Sequence, residues 1–319
     1  MSEKDTCYLG IDIGGTEVKI GTLTRNGKIL QTRSYAVNFD GYNTPILKTV
    51  LKSVQDFLEE TGQKSEDMRA IGVSATGTIN TRDGIVAGSA GHIKNWEGSR
   101  IREEMQDTFQ LPVWVLNDAN AAALGEVWLG AAKGRKNVVV VTIGTGVGGG
   151  IILDGKILLG ANGYAGELGH TPLQCEGEPC TCGNVGCLEH YGSMSALVRM
   201  VKEEEQKGTL SGSVPDEING RWIFSEIAKG NVIVEQIAER WMDYIAAGIV
   251  GMVHTFNPEL VLIGGGVSAQ QELFIDKIEE KVMRRAMPNF TENLEVKAAM
   301  LNNEAGLAGA VYYCIQQES

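Results

Sequence analysis

Apolar and polar positions alternate along the first part of the chain in the way that β-strands require. An apolar run over residues 7–13 ends at Gly14-Gly15, and residues 18–23 alternate between the two classes. Asn26-Gly27 is a strong hairpin signal, and residues 29–37 continue the strand pattern. The pattern predicts a meander of three strands.

Segments with the apolar spacing of helices then alternate along the chain with predicted strands. Apolar residues at helical spacing run over residues 46–58 and end near Gly62. A buried strand is predicted over 70–74, a helix over 101–109 and a short strand over 113–116. A meander followed by alternating helices and strands indicates an α/β fold, with a mixed sheet covered by helices.

The second half of the chain opens with the same pattern. Residues 141–146 resemble residues 11–16, since each segment is a strand that ends in a glycine turn. Residues 154–158 repeat the x-Gly-Lys-Ile-Leu hairpin of residues 26–30. Chance similarity among glycine-rich hairpins is one explanation. We favour an internal duplication, which predicts two similar α/β domains that face each other across a cleft.

The remaining pattern sets the predicted domain boundaries. A long helical stretch over 232–256 precedes a buried strand that ends at Gly264-Gly265-Gly266. No low-complexity linker separates the halves, so we expect a hinge between an N-terminal domain over 1–117 and a C-terminal domain over 118–302. The last helix, over about 303–319, is expected to pack back on the N-terminal domain.

Composition indicates a globular protein with an acidic surface. The 319 residues are 43% apolar and 21% charged and suit two domains. The net charge of −12 opposes binding to phosphate backbones and anionic lipid, so neither nucleic acid nor a membrane is an expected partner. The chain has no apolar run of roughly 18 residues and no signal-peptide pattern, so we expect a cytoplasmic protein. In that reducing compartment the six cysteines are expected as thiols or metal ligands.

Two glycine loops, over residues 14–16 and 144–146, directly follow strands. Backbone without Cβ atoms can approach a phosphate closely and direct several N–H groups at it. Asp12, at the end of the first strand, is suited to hold a hydrated Mg²⁺ ion against those phosphates. Neither loop has the Walker A pattern, and a plain tight turn is the alternative for each. Three threonines beside the loops add hydroxyl donors: Thr16, Thr142 and Thr145.

Asn117-Asp118 stands between an apolar strand and a helix-forming run over residues 119–129. An N-cap of that helix is one role for Asp118. The other role is a general base, because a hydroxyl that attacks a phosphoryl group needs a carboxylate within hydrogen-bond reach to take its proton. The helix N-terminus favours the ionised carboxylate that a base requires.

One histidine and three cysteines lie close together in a glycine-rich segment: His170, Cys180, Cys182 and Cys187. They provide a Cys₃His set that suits tetrahedral Zn²⁺. Unligated thiols on a loop are the alternative. Cys175 is a possible substitute ligand, and Cys7 and Cys314 are expected in the core. With every ligand position filled by protein, the zinc of this loop over 170–187 would be structural.

The same segment brings polar side chains that suit sugar hydroxyls. Glu167, His170 and Glu189 join Asn117 and Asp118 in an array of donors and acceptors. His92, in the loop over 89–96, is a further candidate for lining the cleft.

These motifs together resemble the ROK family of sugar kinases and related repressors, in the actin-like ATPase superfamily. The resemblance runs nearly end to end, from Asp12-Ile-Gly-Gly-Thr16 to Gly264-Gly265-Gly266. The Gly-Glu-x-Gly-His motif at 166–170 and the cysteine loop at 180–187 are highly specific to that family. The resemblance implies a duplicated actin-like (ribonuclease H-like) α/β fold and an ATP-dependent kinase. It also implies that the kinase phosphorylates the 6-hydroxyl of an aldohexose, either glucose or an N-acetylhexosamine.

The resemblance also implies a role for each candidate residue and a homodimer or homotetramer. Asp118 becomes the catalytic base, and one ring nitrogen of His170 binds zinc while the other faces the sugar. Zinc is held by His170, Cys180, Cys182 and Cys187. The implied sugar ligands are Gly77, Asn117, Asp118, Glu167, His170 and Glu189. The residues implied for ATP and Mg²⁺ are Asp12, Gly14, Gly15, Thr16, Lys19, Thr142, Gly144, Thr145, Gly146, Gly264, Gly265 and Gly266.

Two departures from the family pattern leave the identity of the sugar open. Thr76-Gly77 stands where the family often has Pro-Gly, and His92 precedes Trp96 where it often has an Asn. A sugar-responsive repressor of the same family is the alternative function. We disfavour it because the first predicted strand starts near Cys7, which leaves too few residues for a helix-turn-helix. A non-catalytic sugar-binding protein would be expected to lack Asp12 or Asp118.

Overall fold

The computed structural model describes residues 6–89, 93–210, 214–215 and 217–318. The strands of the first half are β1 (Cys7–Ile13), β2 (Glu17–Thr24), β3 (Ile29–Ala36), β4 (Met68–Ala75), β5 (Thr78–Asn80), β6 (Ile85–Gly88) and β7 (Val113–Asn117). The first sheet has the strand order β3-β2-β1-β4-β7, with β1 antiparallel to β2 and parallel to β4.

The second sheet repeats the strand order of the first. Its strands are β8 (Val138–Ile143), β9 (Val147–Leu153), β10 (Lys156–Ile157), β11 (Leu260–Gly264) and β12 (Glu295–Ala298). Their order is β10-β9-β8-β11-β12, in which β11 runs parallel to both β8 and β12. The α/β class with mixed sheets, predicted from the hydrophobic pattern, is confirmed.

Helices connect the strands in both halves. In the first half they are α1 (Ile46–Thr61), α2 (Ile101–Phe109) and α3 (Asp118–Trp128). In the second half they are α4 (Leu188–Gly192), α5 (Met194–Gln206), α6 (Gly220–Ala228), α7 (Val232–Phe256), α8 (Asp276–Arg285), α9 (Pro288–Thr291) and α10 (Ala305–Gln317). Among the described residues, no helix is long and apolar enough to cross a membrane.

The chain divides into two compact units. The first comprises Met1–Gly134, Gly150–Gly166 and Leu301–Ser319, and the second comprises Arg135–Gly149 and Glu167–Met300. The boundary therefore lies after Gly134 rather than after residue 117, because α3 packs closely against α10 and stays with the first sheet. Asp118, at the start of α3, consequently belongs to the first unit.

The central strand β1 of the first sheet is buried on both faces, and its successive side chains point to opposite sides of the sheet. Leu9, Ile11 and Ile13 face the core that includes α1. Tyr8 faces the opposite side and packs in the cluster that contains Leu307 of α10. Both cysteines expected in the core pack against this sheet: Cys314 is buried in the α10 cluster, and Cys7 is half-buried against the core that includes α1.

Candidate functional site

The carboxyl ends of β1, β4 and β7 lie side by side at one edge of the first sheet. Asp12 on β1 is in register with Ser74 on β4, and Ala75 is in register with Asn117 on β7. Candidate polar residues from three separate parts of the chain therefore meet at this edge. The carboxyl edge of parallel strands is where open α/β sheets bind ligands.

Asp12 is held in a mostly buried position. Ser74 Oγ donates a hydrogen bond of 2.6 Å to Asp12 Oδ1. Burial raises the pKa of Asp12 above its ordinary value, and the Ser74 hydrogen bond and the Lys19 charge oppose that rise. Lys19 faces Asp12 across the β1–β2 pair, and its Nζ donates to the backbone carbonyl of Asn303 at 2.5 Å. Lys19 thus links β2 to the segment before α10.

Asn117 caps α3 and leaves Asp118 as the first helical residue. The Asn117 side-chain oxygen accepts from the Ala119 and Asn120 N–H groups, and its Nδ2 donates to the Gly77 carbonyl at 2.9 Å. The N-cap role that the sequence allowed for Asp118 therefore belongs to Asn117. Asp118 is half-buried, and its Oδ1 accepts from the Ala119 N–H at 2.8 Å, which orients the carboxylate at the helix N-terminus.

The structure does bring together the Cys₃His group in the second unit. One ligand atom from each of His170, Cys180, Cys182 and Cys187 lies within 4.8 Å of the others. Cys182 Sγ is 3.7 Å from Cys187 Sγ, and Cys180 Sγ is 3.5 Å from His170 Nδ1. Zn–S bonds of about 2.3 Å at tetrahedral angles separate two sulfurs by roughly 3.8 Å, so the spacing suits zinc.

Two backbone hydrogen bonds close a tight loop around the cysteines. The Cys180 N–H donates to the Asn184 carbonyl at 2.8 Å, and the Gly183 N–H donates back to the Cys180 carbonyl at 3.0 Å. Burial raises the pKa of Cys187 to about 12, whereas a backbone hydrogen bond from Asn184 lowers the pKa of Cys182. Cys175 is exposed and lies outside the group.

The two glutamates expected near the sugar differ in their surroundings. Glu167 is exposed and precedes the short 3₁₀ turn Leu168–His170. Glu189, on α4, is half-buried, and its Oε2 accepts from the Val147 N–H at 3.0 Å. Glu189 thus contacts the second glycine loop, a contact that the sequence pattern did not indicate. His92 lies outside the described residues.

The second glycine loop borders a cavity of about 670 Å³ within the second unit. Gly144 and Thr145, after β8, form one side of it, and Gly266, after β11, lies beside them. Residues of α5 and α6 complete the wall, and sequence reasoning missed them because they follow no glycine motif. Apart from the glycine-loop residues, the lining comprises Ile143, Met194, Ser195, Val198, Ile218, Asn219, Gly220, Arg221, Phe224, Val267 and Gln270.

Comparison with known proteins identifies the family of this fold and site. A profile of the ROK family matches residues 8–317. The glucokinase of Thermotoga maritima is 32% identical over 308 residues, which cover 95% of this chain and 95% of that protein. A crystal structure of a ROK family glucokinase from Streptomyces griseus in complex with glucose and AMPPNP has a TM-score of 0.77 and 33% identity, and the match covers 97% of this chain and 99% of that chain.

The chain therefore belongs to the ROK family, and it has the α/β actin-like kinase fold of that family. Within the family it is a sugar kinase, since it matches glucokinases over nearly their whole length. A xylose repressor of Caldicellulosiruptor bescii is also similar, at 29% identity, but the match covers only 76% of that protein. The family resemblance seen in the sequence and the prediction of an enzyme are both confirmed.

Proposed function

We propose that this kinase transfers the terminal phosphoryl group of ATP to the 6-hydroxyl of an aldohexose, either glucose or an N-acetylhexosamine. Asp118 is the proposed general base. The observation that carries this role is its placement: Asn117 takes the cap, so the Asp118 carboxylate lies at the first turn of α3, oriented by the Ala119 N–H. That position favours ionisation, and an ionised carboxylate accepts the proton of an attacking hydroxyl.

The nucleotide is proposed to bind at both glycine loops. The cavity beside Gly144, Thr145 and Gly266 is large enough to hold a nucleoside and has a mixed polar and apolar lining. Backbone N–H groups of the two loops would donate hydrogen bonds to the phosphates. Asp12 lies at the end of β1 beside the first loop, where its carboxylate suits a hydrated Mg²⁺ ion that neutralises phosphate charge. The proposed ATP and Mg²⁺ residues remain those implied by the resemblance.

The sugar is proposed to contact Gly77, Asn117, Asp118, Glu167, His170 and Glu189. The hydrogen bond from Asn117 to the Gly77 carbonyl supports two members of this set, because it fixes the end of β7 against the turn after β4. In the second unit, His170 directs Nδ1 toward Cys180 Sγ. This orientation leaves Nε2 as the ring nitrogen for a sugar hydroxyl.

The Cys₃His group is proposed to hold a structural Zn²⁺ ion. The four ligand atoms have the spacing and the soft donor chemistry that zinc prefers. All four positions would be filled by protein, so the ion would take no part in the reaction. Its role would be to fix His170 and the segment that leads into Glu189.

The test is a coupled assay of ADP release over a panel of hexoses and N-acetylhexosamines, with the Asp118→Asn variant beside the wild type. We expect one aldohexose to be strongly preferred. We expect Asp118→Asn to bind that sugar normally but to turn over about 10²–10⁴-fold more slowly. Near-normal turnover by Asp118→Asn would reject the base, and absence of ADP release with every sugar would reject the proposed reaction.

A further inference from the structure

The carboxylate of Glu189 lies directly against the second glycine loop. Its Oε2 accepts a hydrogen bond of 3.0 Å from the Val147 N–H, the first backbone donor after the loop. A Cβ atom at Gly146 would overlap the same oxygen. The glycine at this position therefore makes room for the carboxylate, and the carboxylate fixes the peptide between Gly146 and Val147.

A second hydrogen bond holds the loop from the same side. The Met194 N–H, at the start of α5, donates to the Gly144 carbonyl at 2.9 Å. Both supports come from one short stretch of chain, which begins at Cys187, a member of the Cys₃His group and the N-cap residue of α4. The stretch from residue 187 to residue 194 thus connects the metal-ligand group to both ends of the glycine loop.

This arrangement has two opposing consequences for phosphate binding. The hydrogen bond orders the loop before a ligand arrives, which lowers the entropic cost of binding phosphates. The negative charge of Glu189 repels those phosphates. A variant that keeps the acceptor but removes the charge separates the two effects.

We infer that Glu189 is a positioning residue for the nucleotide, in addition to its proposed role as a sugar ligand. The inference rests on the proposed function in one respect, that the nucleotide binds at the loop over 144–146. A side chain proposed to touch the sugar also supports the loop that binds phosphate.

The experiment is calorimetric titration of ADP with Mg²⁺, in the absence of sugar, into the full-length wild type, Glu189→Ala and Glu189→Gln. We expect Glu189→Ala to weaken ADP binding about tenfold, since one hydrogen bond that orders the loop is lost. We expect Glu189→Gln to stay within about threefold of the wild type, because its amide oxygen accepts from the same N–H. Omission of sugar removes any effect through sugar contacts.

Glu189→Ala and Glu189→Gln both lack the negative charge, and only Glu189→Gln keeps the acceptor, so equal ADP affinities of these two folded variants would overturn the inference. Circular dichroism verifies folding. If Glu189→Ala does not fold, Glu189→Asp makes the same comparison, because its carboxylate is one methylene short of Val147. A wild type that binds no ADP would reject the proposed function together with this inference, whereas equal ADP affinities of Glu189→Ala and Glu189→Gln reject only the inference.

A double-mutant cycle with Gly146→Ala separates coupling from a general effect on the loop. The added methyl group displaces the Glu189 carboxylate, so Gly146→Ala should weaken ADP binding in the wild-type background. In the Glu189→Ala background the displaced group is absent, and the same substitution should cost much less. Losses that simply multiply would show that the two residues act independently and would contradict the inference.

Discussion

The carboxylate of Asp12 occupies the space that a side chain at residue 306 would need. A Cβ atom at Gly306 would lie 2.7 Å from Asp12 Oδ1. Gly306 is in the first turn of α10, and the hydrogen bond from Lys19 to Asn303 holds the segment just before it. The last helix therefore confines the carboxylate from one side while Ser74 holds it from the other.

Gly306→Ala is expected to displace the Asp12 carboxylate. The fit of a buried acid against helix backbone leaves no room for a methyl group, so we expect a destabilisation of about 1–3 kcal/mol. Turnover should fall at least about tenfold, because Asp12 is proposed to hold Mg²⁺ against the phosphates and a small misplacement of such a group is costly. Kinetics at several Mg²⁺ concentrations and thermal melting measure both effects.

Gly251→Ala on α7 is the matched control for this substitution. A Cβ atom at Gly251 meets no atom within 4 Å, and the residue is exposed on the helix. Alanine there should raise stability by about 0.5–1 kcal/mol through helix propensity and leave turnover unchanged. Equal behaviour of the two variants would contradict the confinement of Asp12.

Asp12→Asn is expected to raise stability at neutral pH while it abolishes activity. Burial raises the pKa of Asp12, so between the ordinary and the raised pKa the folded chain binds more protons than the unfolded chain. Stability from this group is therefore greatest below the ordinary pKa and is lost as pH rises toward the raised pKa. Asparagine removes the cost of a buried charge and still accepts from Ser74.

Melting temperatures at about pH 4.5 and about pH 7.5 measure this effect of Asp12. The advantage of Asp12→Asn over the wild type should be larger at the higher pH. An advantage that is the same at both values would show that the Asp12 carboxylate carries no net penalty in the folded chain.

The sequence predicted those parts of the fold that depend on the local pattern of a single element. Alternation along residues 7–13 and the hairpin at Asn26-Gly27 predicted the meander, and the structure contains β1, β2 and β3 there. The boundary predicted after residue 117 differs from that of the structure, because the extent of the first unit depends on the packing of α3 against α10, almost two hundred residues later in the chain. Small residues along both helices permit that packing, but the periodic pattern of one helix does not indicate which other helix packs against it.

In the candidate site too, features set by neighbouring residues were easier to predict than contacts between separate elements. The Cys₃His group was predictable, because its four metal-binding residues lie within eighteen residues of chain. So short a segment keeps the four side chains near one another. The choice of Asn117 over Asp118 as N-cap was not predictable, because both residue types cap helices well. Contact between Glu189 and Val147 joins residues from separate elements, and no local pattern encodes it.

Gly309→Ala is expected to disrupt the packing that holds α3. A Cβ atom at Gly309 would overlap the carbonyl oxygen of Ala121, which is helix backbone and cannot rotate away. We expect a loss of about 3 kcal/mol in the free energy of unfolding. Chemical denaturation measures it, and Gly251→Ala again serves as the control. A loss below about 1 kcal/mol would mean that the two helices separate easily.

Cys182→Ser is expected to empty the proposed zinc site, and Cys175→Ser is its matched control. Both cysteines are exposed, but Cys182 is in the ligand group and Cys175 is not. Metal analysis of the purified wild type and Cys175→Ser should find about one zinc per chain, and Cys182→Ser should retain less than about half. Since a structural zinc ion stabilises the loop that it closes, only Cys182→Ser should melt at a lower temperature. Equal zinc contents in the two variants would show that the thiol of Cys182 is not a ligand.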